Sequence, residues 1–264
     1  MRVAKLILAV SLVISNIVFF TPVSASPEVS QNLEKQNTKE TYDVIVQGEK
    51  IGTKTIHLEI EREIEGEDIT VNLVAETRYN LNSNATEVQK EVFTDSINKT
   101  QIQKLKNEYY IDGEKLNTTH NTQSIIQPND FSLAAGQDTG GLPAIAHYYG
   151  DYRTYSFRVY NDFAFWTSWG PAGSHVSKNG VSISNNYVPL AMANIDAFAT
   201  NHNNMRFGAL GLVSLLGTTV ISIPSVIAAL SAGGATALQA GLVYENYNAA
   251  QDNIKKAYNY VSRM

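Results

Sequence analysis

The chain has 264 residues, of which 44% are hydrophobic and only 17% are charged, and it has no cysteine. The formal net charge of −5 offers no basic surface for nucleic acid, and the lack of cysteine excludes disulfides, zinc-thiolate sites and cysteine nucleophiles. The 25 aromatic residues exclude a compositionally disordered chain, because such chains are poor in aromatic side chains.

The first 25 residues have the pattern of an export signal. Arg2 and Lys5 give a positive start, and residues 6–20 form an apolar run that is shorter than the roughly 20 residues needed to cross a bilayer. The run leads to Val23-Ser24-Ala25, a small-x-small cleavage pattern. We therefore expect a signal peptide over residues 1–25 and a bacterial protein secreted to the extracellular space after cleavage near Ala25. An uncleaved membrane anchor is the alternative.

The charge is unevenly distributed along the rest of the chain. Residues 26–130 hold 11 Lys and Arg against 19 Asp and Glu, whereas residues 131–264 hold seven and six. This change predicts two units with different roles. In the first, the polar residues 26–41 show no periodicity and are expected to be a flexible leader, which precedes an acidic antiparallel β domain over residues 42–130.

The acidic domain alternates apolar and polar residues with the period of a β-strand. The alternation includes Ile56, Leu58 and Ile60, and later Val71 and Leu73. Turn-forming sequences such as Asp112-Gly113 separate the runs. A meander of antiparallel strands with one apolar and one charged face follows from this pattern.

Aromatic residues concentrate in the next 40 residues, 148–187, which contain 11 of the 25 and both tryptophans. Alternation at Tyr155, Phe157 and Val159 indicates β-strands. The rings could fill a core, stack on sugars or lie at a membrane interface. Trp166, Trp169 and Tyr160 are the candidate interface residues.

Catalytic and metal patterns are weak. His147, Asp151 and Ser174 come nearest to a serine hydrolase, but the residues around Ser174 do not form the Gly-x-Ser-x-Gly turn that exposes a nucleophile. The five histidines show no metal-ligand spacing. The sequence therefore predicts no catalytic residues, no metal and no cofactor, and a protein that is not an enzyme.

The C-terminal quarter carries the clearest pattern. Residues 207–244 are 38 positions without a charge, and 20 of them are Gly, Ala, Ser or Thr. Pro224 and Gly233-Gly234 interrupt the run, so we expect a hydrophobic α-helical hairpin with arms near residues 192–223 and 235–261, joined by residues 225–232. The predicted membrane-active residues are Phe207, Gly208, Gly211, Leu215, Pro224, Ala229, Gly233, Gly234, Ala237 and Gly241.

Two interpretations of this hairpin stay open. It can be the central helix pair of a soluble domain, or it can be stored in water and then enter a target membrane. A charge at the centre of a bilayer costs roughly 2.5 to 3.5 kcal/mol on insertion scales, and residues 207–244 avoid that cost entirely. The whole pattern predicts an α+β fold with an N-terminal antiparallel β meander, an aromatic-rich β segment and the hairpin, the last two lying in residues 131–264.

An export signal, an acidic β-rich first half and a Gly/Ala-rich hydrophobic hairpin together resemble large secreted bacteriocins of bacilli, of the geobacillin type. The hairpin alone is also similar to those of other secreted toxins of sporulating bacteria and of colicins. The resemblance implies an antimicrobial protein, an antibiotic toxin that acts on the membranes of related Gram-positive bacteria, with an immunity protein as a candidate partner. A secreted cell-envelope or carbohydrate-binding module that uses the aromatic segment is the alternative.

Overall fold

A computed structural model describes residues 32–106, 108–116, 140–150, 153–164, 170–217 and 221–264. The predicted signal peptide and residues 26–31 of the predicted leader lie outside these ranges. The described residues belong to one compact unit of mixed α+β architecture, with ten strands and four helices among them.

The first sheet has six antiparallel strands that are neighbours in the order of the sequence. The strands are β1 (Asn32–Val46), β2 (Glu49–Glu65), β3 (Asp68–Leu81), β4 (Ser96–Leu105), β5 (Glu108–Ile111) and β6 (Glu114–Lys115). The predicted meander is thereby confirmed. Asp112 and Gly113 make the β5–β6 turn with φ angles of 49° and 82°, a backbone conformation for which Asp-Gly is well suited.

One face of this sheet is buried with the predicted period of two. Ile56, Leu58 and Ile60 of β2 and Leu73 of β3 are almost completely inaccessible to solvent. Lys54 lies in phase with the three apolar residues of β2 and is also fully buried. The sheet therefore presents a lysine to the core along with its hydrophobic side chains.

Strand β1 differs from the prediction of a flexible leader over residues 26–41, because residues 32–41 are part of this strand. Residues 32–41 have no apolar period and are held instead by backbone pairing with β2 and by polar cross-strand contacts, whereas Val44 and Val46 at the end of the strand are buried. Lys35 pairs with Glu61, and Arg62 with Glu34. These contacts depend on a neighbouring strand and leave no signal within the segment itself.

The second sheet is also antiparallel, and its strands stand in the order β10-β9-β8-β7. They are β7 (Gly140–Leu142), β8 (Ala146–Gly150), β9 (Thr154–Phe163) and β10 (Pro171–Ser182). Tyr148, Tyr155 and Phe157 form a buried cluster with ring centroids about 6 Å apart. Of the three uses considered for the aromatic residues, these rings serve the core.

Four helices complete the fold: α1 (Glu87–Val92), α2 (Tyr187–Leu216), α3 (Ile223–Ala232) and α4 (Gly234–Ser262). Helices α2 and α4 pack against each other along the predicted hairpin. The joining segment, expected over residues 225–232, is itself the helix α3. Ser222 and Ser225 form a capping box that starts α3 with Pro224 in its first turn, and Gly233, at a φ of 79°, separates α3 from α4.

A single large core joins the acidic half to the C-terminal half. It includes Leu58 and Leu73 of the first sheet, Phe157 of the second sheet, Phe198 of α2 and Val243 of α4. The predicted boundary between residues 42–130 and 131–264 is therefore not a boundary between compact units. The change in charge reflects one solvated acidic sheet packed on the helices α2, α3 and α4, whose positive and negative charges balance.

Candidate functional site

The ten predicted membrane-active residues do not share one environment: three are buried, three are half-buried and four are exposed, the last being Phe207, Gly211, Leu215 and Gly234. Ala229 and Ala237 are buried, and Gly241 lies against the first sheet. Ile227 and Leu230, the large apolar residues of α3 beside Ala229, are also buried. In the folded chain these residues contact the protein core, as in the first of the two interpretations of the hairpin.

The C-terminal half of α2 presents large apolar side chains to solvent. Phe207 is 73% exposed, Leu210 is 66% exposed and Leu215 is 53% exposed, and Leu216 is also exposed. Gly211 and Ser214 lie between the first three of these on the same side of the helix. We call Phe207, Leu210 and Leu215 the apolar face, whereas Leu216 lies on the opposite side of the helix at its C-terminal end.

The glycines of the hairpin allow close contacts in two directions. A Cβ atom on Gly208 would lie 2.9 Å from Val243 Cγ2, and Gln239 of α4 donates its amide to the Gly208 carbonyl at 2.9 Å. A Cβ atom on Gly241 would lie 2.5 Å from Leu58 Cδ2. Gly208 therefore serves the contact between the helices, and Gly241 serves the contact between α4 and the first sheet.

A buried lysine ties this sheet to both long helices. The Lys54 ammonium donates hydrogen bonds to Asn201 Oδ1 of α2 and Asn246 Oδ1 of α4, both at 2.9 Å. Burial lowers the pKa of Lys54 to about 8, although the negative charge of Glu245 opposes this shift. The lysine thus holds the two helices in register with β2.

Glu245 of α4 is the counter-charge. One of its oxygens accepts hydrogen bonds from Asn98 Nδ2 at 2.7 Å and from Thr77 Oγ1 at 3.4 Å. Burial raises the pKa of this carboxyl, and Lys54 and the two hydrogen bonds only partly oppose the rise. Glu245, the first charged residue after the uncharged run 207–244, therefore lies in a buried polar cluster and not in solvent.

A second buried polar cluster joins the second sheet to α2. The Tyr148 hydroxyl donates to the carboxylate of Asp196, at 2.9 Å from Oδ2 and 3.1 Å from Oδ1, and Gln47 donates to the Tyr148 oxygen at 2.6 Å. Asp196 is only 4% exposed. Its burial raises the pKa of the carboxyl to about 7, with the Tyr148 hydrogen bond acting in the opposite direction.

Asp196 lines a cavity of about 490 Å³ between β1, β7 and α2, which we call the Asp196 cavity. Asp43 of β1, Thr200 and Asn204 of α2, and Phe207 of the apolar face also line it. The cavity therefore brings a buried carboxylate and several hydrogen-bonding groups next to the most exposed aromatic side chain of α2.

The aromatic interface candidates are only partly described. Tyr160 lies on β9, with its ring centroid 5.2 Å from that of His175 and its hydroxyl accepting a hydrogen bond from Arg158 at 3.0 Å. Trp166 and Trp169 lie outside the described residues.

The structure does not bring together the His147 and Ser174 of the hydrolase alternative. His147 lies on β8 opposite Arg158 of β9, whereas Ser174 lies on β10 and its backbone N–H donates to Asn161 Oδ1. Because β9 lies between these two strands, the strand axes are about 10 Å apart. Asp151 lies outside the described residues.

The described part of the chain contains no group of three or more His, Asp or Glu residues placed to hold a metal ion. None of the helices within the described ranges is long and apolar enough to cross a membrane.

Comparison with known proteins found no matching family model, no matching curated protein and no matching solved structure.

The burial of Lys54 and Asp196 was not predicted, although the sequence pattern around each residue indicates it. Lys54 stands in phase with Ile56 and Leu58, which places it on the buried face of β2. Asp196 is the only charged residue in the first 19 positions of α2. A lone charge within an apolar pattern indicates a paired and buried group, since an unpaired one would be costly.

Proposed function

We propose that this chain is a secreted antibacterial protein, similar to a bacteriocin, that binds target-cell membranes through the apolar face of α2. The observation that carries the proposal is the exposure of Phe207, Leu210 and Leu215 on one side of a helix. Contiguous exposed apolar surface marks a site of interaction with a protein or a membrane. The export-signal pattern of residues 1–25 supports action outside the producing cell.

The absence of charge favours a lipid partner over a protein partner. Protein interfaces surround an apolar centre with a polar rim, whereas the segment that contains this face has no charged residue between Arg206 and Glu245 in the sequence. Arg206 is exposed at the start of the face, where a cation can contact lipid phosphates. The helix end thus has the chemistry of a surface that enters the boundary between headgroups and acyl chains.

The free energy gained by burying the apolar face in a membrane indicates reversible binding. A fully buried Phe or Leu side chain contributes about 1.5 to 3 kcal/mol, and the three residues of the apolar face are already partly covered. Their remaining surface is then worth roughly 1 kcal/mol each, about 3 kcal/mol in total, which corresponds to a dissociation constant of about 6 mM. Stable attachment would need contacts beyond these three side chains.

Complete insertion of the hairpin has a much larger cost. It would remove Gly241 from the first sheet and Ala237 from the core, and it would break the hydrogen bonds of Lys54 to Asn201 and Asn246. Leaving a buried hydrogen-bonding group without its partner costs about 1 to 3 kcal/mol, and more for a charged group such as the Lys54 ammonium. Binding through the apolar face therefore comes first, with the core of the protein intact.

The test is binding of the purified mature protein to liposomes, followed by sedimentation and by dye release. We expect Leu210→Asp and Leu215→Asp to weaken both, because each places a charge in the apolar face. Leu33→Asp is the matched control, since Leu33 is 56% exposed but lies on β1. Equal binding by all three variants, or no binding by the unaltered protein to any liposome, would overturn the proposal.

A further inference from the structure

The charged residues among the described lining of the Asp196 cavity are both acidic. The cavity is lined by the carboxylates of Asp43 and Asp196, and none of the described residues that line it is Lys, Arg or His. Asp43 is paired with Lys50, which lies outside the lining, at 2.6 Å. Asp43 therefore has a cationic partner, whereas the described hydrogen bonds of Asp196 come only from the neutral Tyr148 hydroxyl.

The hydrogen bonds of Asp196 leave it able to accept more. Tyr148 has a single hydroxyl hydrogen, which both carboxylate oxygens share at 2.9 and 3.1 Å. Gln47 donates to the Tyr148 oxygen, and this fixes the hydroxyl hydrogen on the side of Asp196. Because an ionised carboxylate can accept about four hydrogen bonds, Asp196 keeps the capacity to bind a donor of a ligand in the cavity.

Asn204, which also lines this cavity, has an unpartnered hydrogen-bond donor. Its side chain is 9% exposed, and its amide nitrogen Nδ2 is buried without a hydrogen-bond partner among the described residues. An amide N–H in this position requires an acceptor oxygen. The residues that line the cavity therefore include an acceptor, Asp196, and an unpartnered donor, the amide of Asn204.

The wall of the cavity connects it to the apolar face. Phe207 lines the cavity and is also the most exposed large apolar residue of α2. A ligand held by Asp196 and Asn204 would therefore adjoin the surface that we assign to the membrane. A lipid has this arrangement, with a polar headgroup attached to acyl chains.

We propose that the Asp196 cavity binds the headgroup of a phospholipid that carries a primary ammonium, such as phosphatidylethanolamine. The ammonium donates to Asp196, a phosphate oxygen accepts from the Asn204 amide, and the acyl chains lie along the apolar face. A choline headgroup is excluded as an equal ligand because its quaternary nitrogen has no N–H to donate. This inference rests on the proposed membrane function, since that function supplies the lipid.

The first arm of the test compares vesicles of the same surface charge. The full mature chain is titrated with phosphatidylglycerol mixed in equal amounts with phosphatidylethanolamine or with phosphatidylcholine. A charge-assisted hydrogen bond predicts about tenfold tighter binding to the ethanolamine vesicles. Asp196→Asn and Asn204→Ala should each remove most of this preference and leave binding to the choline vesicles unchanged.

The variants are chosen so that a loss can be interpreted. Asparagine at position 196 keeps an oxygen that can accept from Tyr148, so the variant is expected to fold, and Asn204→Ala removes the donor without touching Asp196. Asp252→Asn is the matched control, because Asp252 is exposed on α4 and paired with Lys256. A preference for ethanolamine that survives in Asp196→Asn, or that is lost equally in Asp252→Asn, would overturn the headgroup site.

The second arm uses soluble glycerophosphoethanolamine and glycerophosphocholine, with the side-chain amide signals of the protein followed by NMR. A saturable shift of the Asn204 amide with the ethanolamine compound alone supports the site, even if no vesicle is bound. That combination would remove the membrane function and assign the cavity to a free ligand. Vesicle binding that depends on Leu210, with no ethanolamine preference and no shift, would keep the membrane function and overturn the headgroup site.

Discussion

Replacing Gly241 by alanine tests how closely the hairpin is docked on the first sheet. The added Cβ would lie 2.5 Å from Leu58 Cδ2 and 3.1 Å from Leu73 Cδ1. Both leucines are fully buried, so the clash is relieved only by moving packed side chains, at a cost of about 1 to 3 kcal/mol. The better helix propensity of alanine returns about 1 kcal/mol. We therefore expect a net loss of roughly 1 kcal/mol in the free energy of unfolding.

Gly211→Ala is the matched change on the other arm of the hairpin. A Cβ atom there would lie 3.4 Å from the Gln239 amide, an ordinary contact, and Gly211 is exposed. Only the gain in helix propensity remains, so this variant should be more stable by about 0.5 to 1 kcal/mol. Thermal unfolding of the two variants should then differ by about 3 to 8 °C for a domain of this size, with Gly211→Ala the higher. Equal midpoints, or a higher midpoint for Gly241→Ala, would refute the described docking of α4 on β2 and β3.

The buried polar clusters give two further predictions. Asp196 binds its proton more tightly in the folded chain, with a pKa of about 7, than in the unfolded chain, whose ordinary value is 3.8. Its contribution to stability is therefore complete below about pH 4 and declines as the pH rises through 7, by at most about 4 kcal/mol. Urea unfolding across this range should show that decline in the unaltered protein relative to Asp196→Asn, and parallel profiles would contradict it. Lys54→Met should lower the free energy of unfolding by about 3 kcal/mol, because Asn201 and Asn246 lose a buried donor and Glu245 loses the nearby positive charge, whereas Lys39→Met on the exposed side of β1 should change it by less than about 0.5 kcal/mol. Similar losses in the two lysine variants would show that Lys54 does not join the sheet to the helices.

The fold was largely predictable because most of its elements follow from local periodicity. Alternation gave the strands around Leu58 and Phe157, and the uncharged run with Pro224 and Gly233 gave a helical hairpin. The first ten residues of strand β1, 32–41, were not predictable, because their polar side chains are held by partners on β2 such as Glu61 and Arg62. Pairing between distant segments leaves little trace in either segment alone.

The candidate site was less predictable, for a physical reason. A helix segment that is apolar on all sides does not show which side the rest of the protein covers. The sequence therefore grouped Leu215, which is exposed, with Ala229, which is buried. The cavity beside Phe207 depends on β1 and β7 meeting α2, and no motif within one segment describes such a meeting.

The central claim is that the apolar face of α2 enters the membrane surface, and a fluorescent label on that face tests it most directly. The chain has no cysteine, so Leu210→Cys gives a single site for an environment-sensitive dye, and Glu63→Cys on β2 gives the same dye a position outside the hairpin. On addition of liposomes we predict a blue shift and a gain in intensity for the label at position 210 and no change at position 63. An unchanged spectrum at position 210 with liposome-bound protein, or equal changes at both positions, would contradict the account.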